Sequence, residues 1–108
     1  MDLRIVEQVS ATGTYTLSLR GSLDLMSKGE LIAAGELALQ ATGSTGLVLN
    51  LAGVEFIDST GIGAIIEVSS FAADLGRTFA LQSPSARVAR VLELTGLSDN
   101  WPTVPNAV

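Results

Sequence analysis

After residue 45 the chain alternates apolar runs with helix-period segments, and this alternation limits the fold more than any other feature. Gly46-Leu47-Val48-Leu49-Asn50-Leu51 is nearly continuous in apolar residues, the pattern of a central strand covered on both faces. Asn50 interrupts it, as a turn-side polar residue at the strand end or as a direct contact to a partner. Phe56-Ile57-Asp58-Ser59-Thr60-Gly61 joins this strand to a helix that runs to about residue 75 and is closed by Gly76. A short strand follows over 77–82. Ser83-Pro84 then opens another helix, with Ser83 as cap and Pro84 in the first helical position. Val88, Val91 and Leu92 form its buried stripe, and Gly96 ends it. Residues 101–104 read as a last short edge strand, where Pro102 is tolerated. Such alternation implies parallel pairing with right-handed crossovers.

The first half adds a hairpin and one helix. Residues 3–9 are rich in β-branched side chains and end in Ser10-Ala11-Thr12-Gly13, a turn signal. Residues 14–20 alternate, with Tyr15, Leu17 and Leu19 on one face, so one side of this strand is buried. Ser27-Lys28-Gly29-Glu30 fits a capping box. The helix behind it carries Leu31, Ile32, Gly35, Ala38 and Leu39 on one stripe. Gly43 is placed to end it in a left-handed conformation.

With 108 residues the chain has material for one core, so a single domain over 1–108 is expected. The fold class is α/β: a mixed β-sheet of roughly four to five strands with about three helices packed on it, in the order β-β-α-β-α-β-α-(β).

The net charge of −5 tells against a nucleic-acid partner, and the six Lys and Arg residues are scattered, never in a run. The chain has no Cys and no His. A Ser-His-Asp triad therefore cannot form, and the commonest metal ligand is missing. Gly61-Ile62-Gly63 lacks the third glycine of a dinucleotide fingerprint, and there is no P-loop. Asp24, Glu55 and Asp58 leave a carboxylate pair open, but nothing in their spacing selects it. The expectation is a protein that is not an enzyme and holds no cofactor or metal. Charges interrupt the N-terminal apolar residues, and no stretch approaches the roughly 20 apolar residues of a membrane span. Cytoplasmic location without membrane insertion is expected.

The helix beginning at Ser59 is the informative one. On a helical wheel Ser59, Thr60, Gly63, Glu67, Ser70 and Asp74 share a polar sector of about 100°, and apolar residues fill most of the rest. An ordinary surface helix shows an apolar stripe only a little wider than about 100°. Either neighbouring helices cover the flanks or part of the arc waits for a partner. Ser59 lies in the first turn, where amides lack intrahelical partners and the dipole is positive, so a phosphate there would meet free N–H groups. Equally, Asp58 or Ser59 is simply the helix cap.

The segment from Leu47 through Asp58-Ser59-Thr60-Gly61 to Gly63 resembles the signature of the STAS family, which covers sulfate-transporter cytoplasmic domains and bacterial anti-sigma-factor antagonists. Gly21-Ser22-Leu23-Asp24 is similar to the family's motif after the second strand, with Ser22 where Glu is usual. Residues 88–97 resemble its last helix. The tail after Val104 is short, so the extra terminal helix of many relatives is not expected.

The resemblance implies an anti-sigma-factor antagonist acting in transcription regulation. Its partners would be an anti-sigma factor, which is an ATPase-like serine kinase, and a serine phosphatase. The unphosphorylated form would bind and release a sigma factor; phosphorylation at Ser59 would switch it off. Asp24, Asp58, Ser59, Thr60, Gly61, Ile62 and Gly63 would form the partner-binding site. Asp58 would orient the loop or cap the helix, and Gly61 and Gly63 would keep the surface low or serve helix packing. The alternative is a STAS scaffold or transporter-associated subunit without a serine phospho-switch.

Overall fold

The computed structural model describes residues 2–104. The expected hairpin is formed by β1 (Leu3–Val9) and β2 (Thr14–Leu23), paired antiparallel with Leu3 opposite Gly21 and Val9 opposite Tyr15. There follow α1 (Lys28–Gln40), β3 (Gly46–Ile57), α2 (Ser59–Asp74), β4 (Thr78–Gln82), α3 (Ala86–Leu94) and β5 (Thr103–Val104). Among the described residues five strands lie in the order β1-β2-β3-β4-β5, and every pairing there beyond the hairpin is parallel. The mixed sheet and the element order are those expected.

Side chains alternate across a strand, and here one face takes nearly all the core. Leu17 and Leu19 of β2 and Leu47, Leu49 and Leu51 of β3 are fully buried. On that face α1 meets α2: a Cβ on Gly35 would lie 2.8 Å from Val68 Cγ1 and 3.6 Å from Leu47. The other face is thinner. Val48 and Asn50 are only half-buried, and Arg4 and Val6 are exposed. The expectation that β3 is covered on both faces is therefore corrected. Strands β2, β3 and β4 are added in one direction, and right-handed crossovers then put their connecting helices on the same side.

Four local expectations also change. β3 does not stop at residue 51 but continues to Ile57, through register shifts against β2 between Ser18 and Arg20 and between Gly21 and Ser22. Asn50 is thus inside the strand, where its Oδ1 accepts the Ala52 amide at 3.0 Å. Ser27 precedes α1 but forms no capping box. Its hydroxyl donates to the Ser22 carbonyl at 2.8 Å and accepts the Asp24 amide at 3.1 Å, tying the β2–α1 loop instead. α1 ends at Gln40, and Gly43, at φ +83°, serves the turn beyond it. Finally, α3 is capped by Ser85 rather than Ser83. The Ser85 hydroxyl accepts the Val88 amide and donates to the Val54 carbonyl at 2.9 Å, so this cap also fastens α3 to β3.

Candidate functional site

The parallel pairing of β2 with β3 brings Leu23 beside Ile57, and the two strands end together where α2 begins. Asp58 takes extended backbone angles (φ −122°, ψ −173°) and caps the helix. Its Oδ1 accepts the Thr60 and Gly61 amides, each at 3.0 Å, and the Thr60 hydroxyl at 2.5 Å. The Thr60 hydroxyl, followed by the Gly61 amide, holds the Asp58 carboxyl below its ordinary value, against a smaller opposing effect of burial.

Ser59, the first residue of α2, is exposed, as is Gly63 one turn later. Asp24, Asp58 and Thr60 are half-buried. Gly61 and Ile62 are buried, Ile62 at 5% exposure, so they lie beneath the surface that the other five form. Gly61 packs against the Leu23 carbonyl, which leaves no room for a side chain, whereas the space over Gly63 is open. Packing against β2 therefore accounts for Gly61 but not for Gly63.

The expectation that free amides would receive a phosphate on Ser59 is revised. Two of the first-turn amides are already held by the Asp58 carboxylate. A phosphate on Ser59 would meet that negative charge and stay at the surface.

Asp24 organises its own loop. Its Oδ1 accepts the Met26 amide at 3.0 Å, and the neighbouring apolar pair stands in solvent, with Leu25 62% and Met26 88% exposed. Phe56, paired with Ser22, and Ile66 on α2 are also exposed. Ser59, Gly63 and Ile66 follow one another along one helix face. The wide apolar arc of α2 is largely covered: Ile62, Ala64, Ile65, Val68 and Ala72 are buried, while Ile66 and Leu75 remain exposed. Sequence reasoning missed Leu25, Met26 and Phe56. The available signal was an apolar pair between Asp24 and Ser27, outside any periodic segment.

The STAS domain family model matches residues 4–107, and the chain belongs to that family. An anti-sigma-B factor antagonist of Staphylococcus epidermidis is 26% identical over 94 residues, covering 87% of this chain and 86% of that protein. A Thermotoga neapolitana protein, the TM1081 homolog, named for a proposed role as an anti-sigma factor antagonist, is 43% identical over 51 residues. That match covers 47% of this chain and 45% of the relative, less than half of its length. Among solved structures, the anti-sigma factor antagonist SpoIIAA in its unphosphorylated form superposes with a TM-score of 0.79 at 21% identity, over 96% of this chain and 89% of that one. The phosphorylated form of Bacillus SpoIIAA gives 0.73 at 20% identity, over 96% and 92%. At this identity the structures establish the shared fold. Among the described residues no helix is long and apolar enough to cross a membrane.

Proposed function

We propose that this chain is an anti-sigma-factor antagonist whose unphosphorylated form binds an anti-sigma factor with serine-kinase activity and so frees a sigma factor. Phosphorylation of Ser59 switches it off, and a serine phosphatase restores it. The observation that carries this reading is the position of Ser59: an exposed serine as the first residue of α2, beside a carboxylate that already holds the next two amides. The existence of SpoIIAA in unphosphorylated and phosphorylated forms supports it.

The proposed gate is electrostatic. The proposed docking surface takes Ser59, Gly63 and Ile66 on α2 together with the exposed Leu25 and Met26 of the β2–α1 loop and Phe56 near the end of β3; Asp24, Asp58 and Thr60 shape it, and Gly61 and Ile62 support it from beneath. Exposed apolar side chains of this kind reward a partner that covers them. A phosphate adds about −1.5 to −2 charges, which a covering partner must desolvate next to Asp58. The domain does not need to refold.

Incubation with the cognate kinase and ATP, followed by mapping of the modified peptide, tests the assignment. One phosphate on Ser59 is expected. Modification only at a distant residue, or none, contradicts the switch and leaves the scaffold reading.

A further inference from the structure

The sheet face away from α1 and α2 carries a second feature that the scattered cations of the sequence did not announce. A groove of about 550 Å³ is lined there by Asp2, Arg4, Val6, Arg20, Gly53 and Glu55, with Gly21 at its side. Arg4 and Arg20 are direct partners across the antiparallel hairpin, and both are exposed. Like charges directly opposite each other destabilise a strand pair. Among the described residues, neither guanidinium has a carboxylate oxygen within ion-pair distance.

The backbone around Arg20 is irregular. The register of β2 against β3 shifts on both sides of it, between Ser18 and Arg20 and between Gly21 and Ser22. Such irregularities re-aim side chains. Gly21 sits at φ +107° against the Asp2 carbonyl. At Gly53 a Cβ would come within 2.7 Å of Arg20 Cγ and 2.8 Å of the Leu19 carbonyl. The glycine therefore lets the arginine stem lie across β3. A planar guanidinium is suited to phosphate, which it can engage with paired N–H donors.

We propose that this groove binds a small phosphate monoester of a polyol, its phosphate between Arg4 and Arg20. The groove is larger than a phosphate group alone requires, which leaves room for an organic part. Asp2 and Glu55, on the same groove, offer acceptors for the hydroxyl groups of the organic part. Glycerol 3-phosphate and inorganic phosphate are suitable probes, titrated at matched ionic strength into the isotope-labelled protein while backbone amide shifts are followed. Saturable shifts at Arg4, Arg20, Gly21 and Gly53 are expected, with the monoester binding tighter than inorganic phosphate. Arg4→Gln and Arg20→Gln should each weaken binding about tenfold, as loss of a charge-assisted hydrogen bond implies, while Ser59→Ala leaves it unchanged. Drifts without saturation, shifts confined to the start of α2, or equal affinity in the arginine variants would overturn the proposal. Because Ser59 is on the other site, either outcome leaves the anti-sigma reading to its own test.

Discussion

Gly61 lies so close to Leu23 that a Cβ on the glycine would collide with the Leu23 carbonyl oxygen. Two elements distant in sequence, the end of β2 and the first turn of α2, are thereby locked at backbone contact. Gly61→Ala forces them apart and should cost about 1–3 kcal/mol, the usual range for overpacking. Nothing lies within 4 Å of a Cβ at Gly63, so Gly63→Ala should raise stability by up to about 1 kcal/mol through helix propensity. Denaturant unfolding of the two variants measures both. If Gly63→Ala is more stable yet binds the anti-sigma factor less well, the added methyl group obstructs the docking surface itself.

Asp58 should make stability respond to acid. Its carboxyl is held below the ordinary value of 3.8 in the folded chain, so the unfolded chain takes up the proton first. The contribution is complete above that ordinary value and is lost as pH falls through the lower folded value. Asp58→Ala should cost about 0.5–2 kcal/mol near neutrality, as loss of a helix cap does. Asp58→Asn keeps an acceptor oxygen but not the charge, and should cost less. Thermal melts from neutral pH down to about pH 3 should show the difference between wild type and Asp58→Asn shrinking with acid. A constant difference would mean that the charge contributes nothing.

The contact between α1 and α2 depends on Gly35 facing Val68, so closely that a Cβ on the glycine would lie 2.8 Å from Val68 Cγ1. Gly35→Ala should destabilise by about 1–3 kcal/mol, and Val68→Ala should cost a similar amount by leaving a cavity. Together they should cost less than the sum, because the new methyl group occupies part of the space the valine vacates. A double-mutant cycle reads this as a coupling of about 0.5–3 kcal/mol; simple additivity would place the two helices further apart than described.

Element order and the hairpin were legible because they rest on local periodicity. The apolar alternation of Tyr15, Leu17 and Leu19 survives into the structure, with Leu17 and Leu19 buried. The Asp58-Ser59-Thr60-Gly61 motif also falls at the start of α2. What failed depended on distant partners. Pro84 points to Ser83 as the cap; Ser85 takes that place because its hydroxyl also reaches the Val54 carbonyl, 31 residues away in sequence. β3 extends past its continuous apolar run because pairing with β2 resumes beyond Ala52 after a register shift. The pairing of Arg4 with Arg20, and the burial of Ile62 beneath the site, likewise follow from tertiary packing that no window of sequence contains.

Binding of the anti-sigma factor to the unmodified chain and to the same chain carrying phosphate on Ser59, compared by calorimetry, tests the central claim most directly. A penalty of about 3–4 kcal/mol for covering the added charge corresponds to affinity weakened several hundredfold, with an unchanged far-UV spectrum and melting behaviour close to that of the unmodified protein. Ser59→Ala should bind like the unmodified chain. Equal affinity of the two forms, or a phosphorylated form that fails to bind only because it has unfolded, would contradict the account.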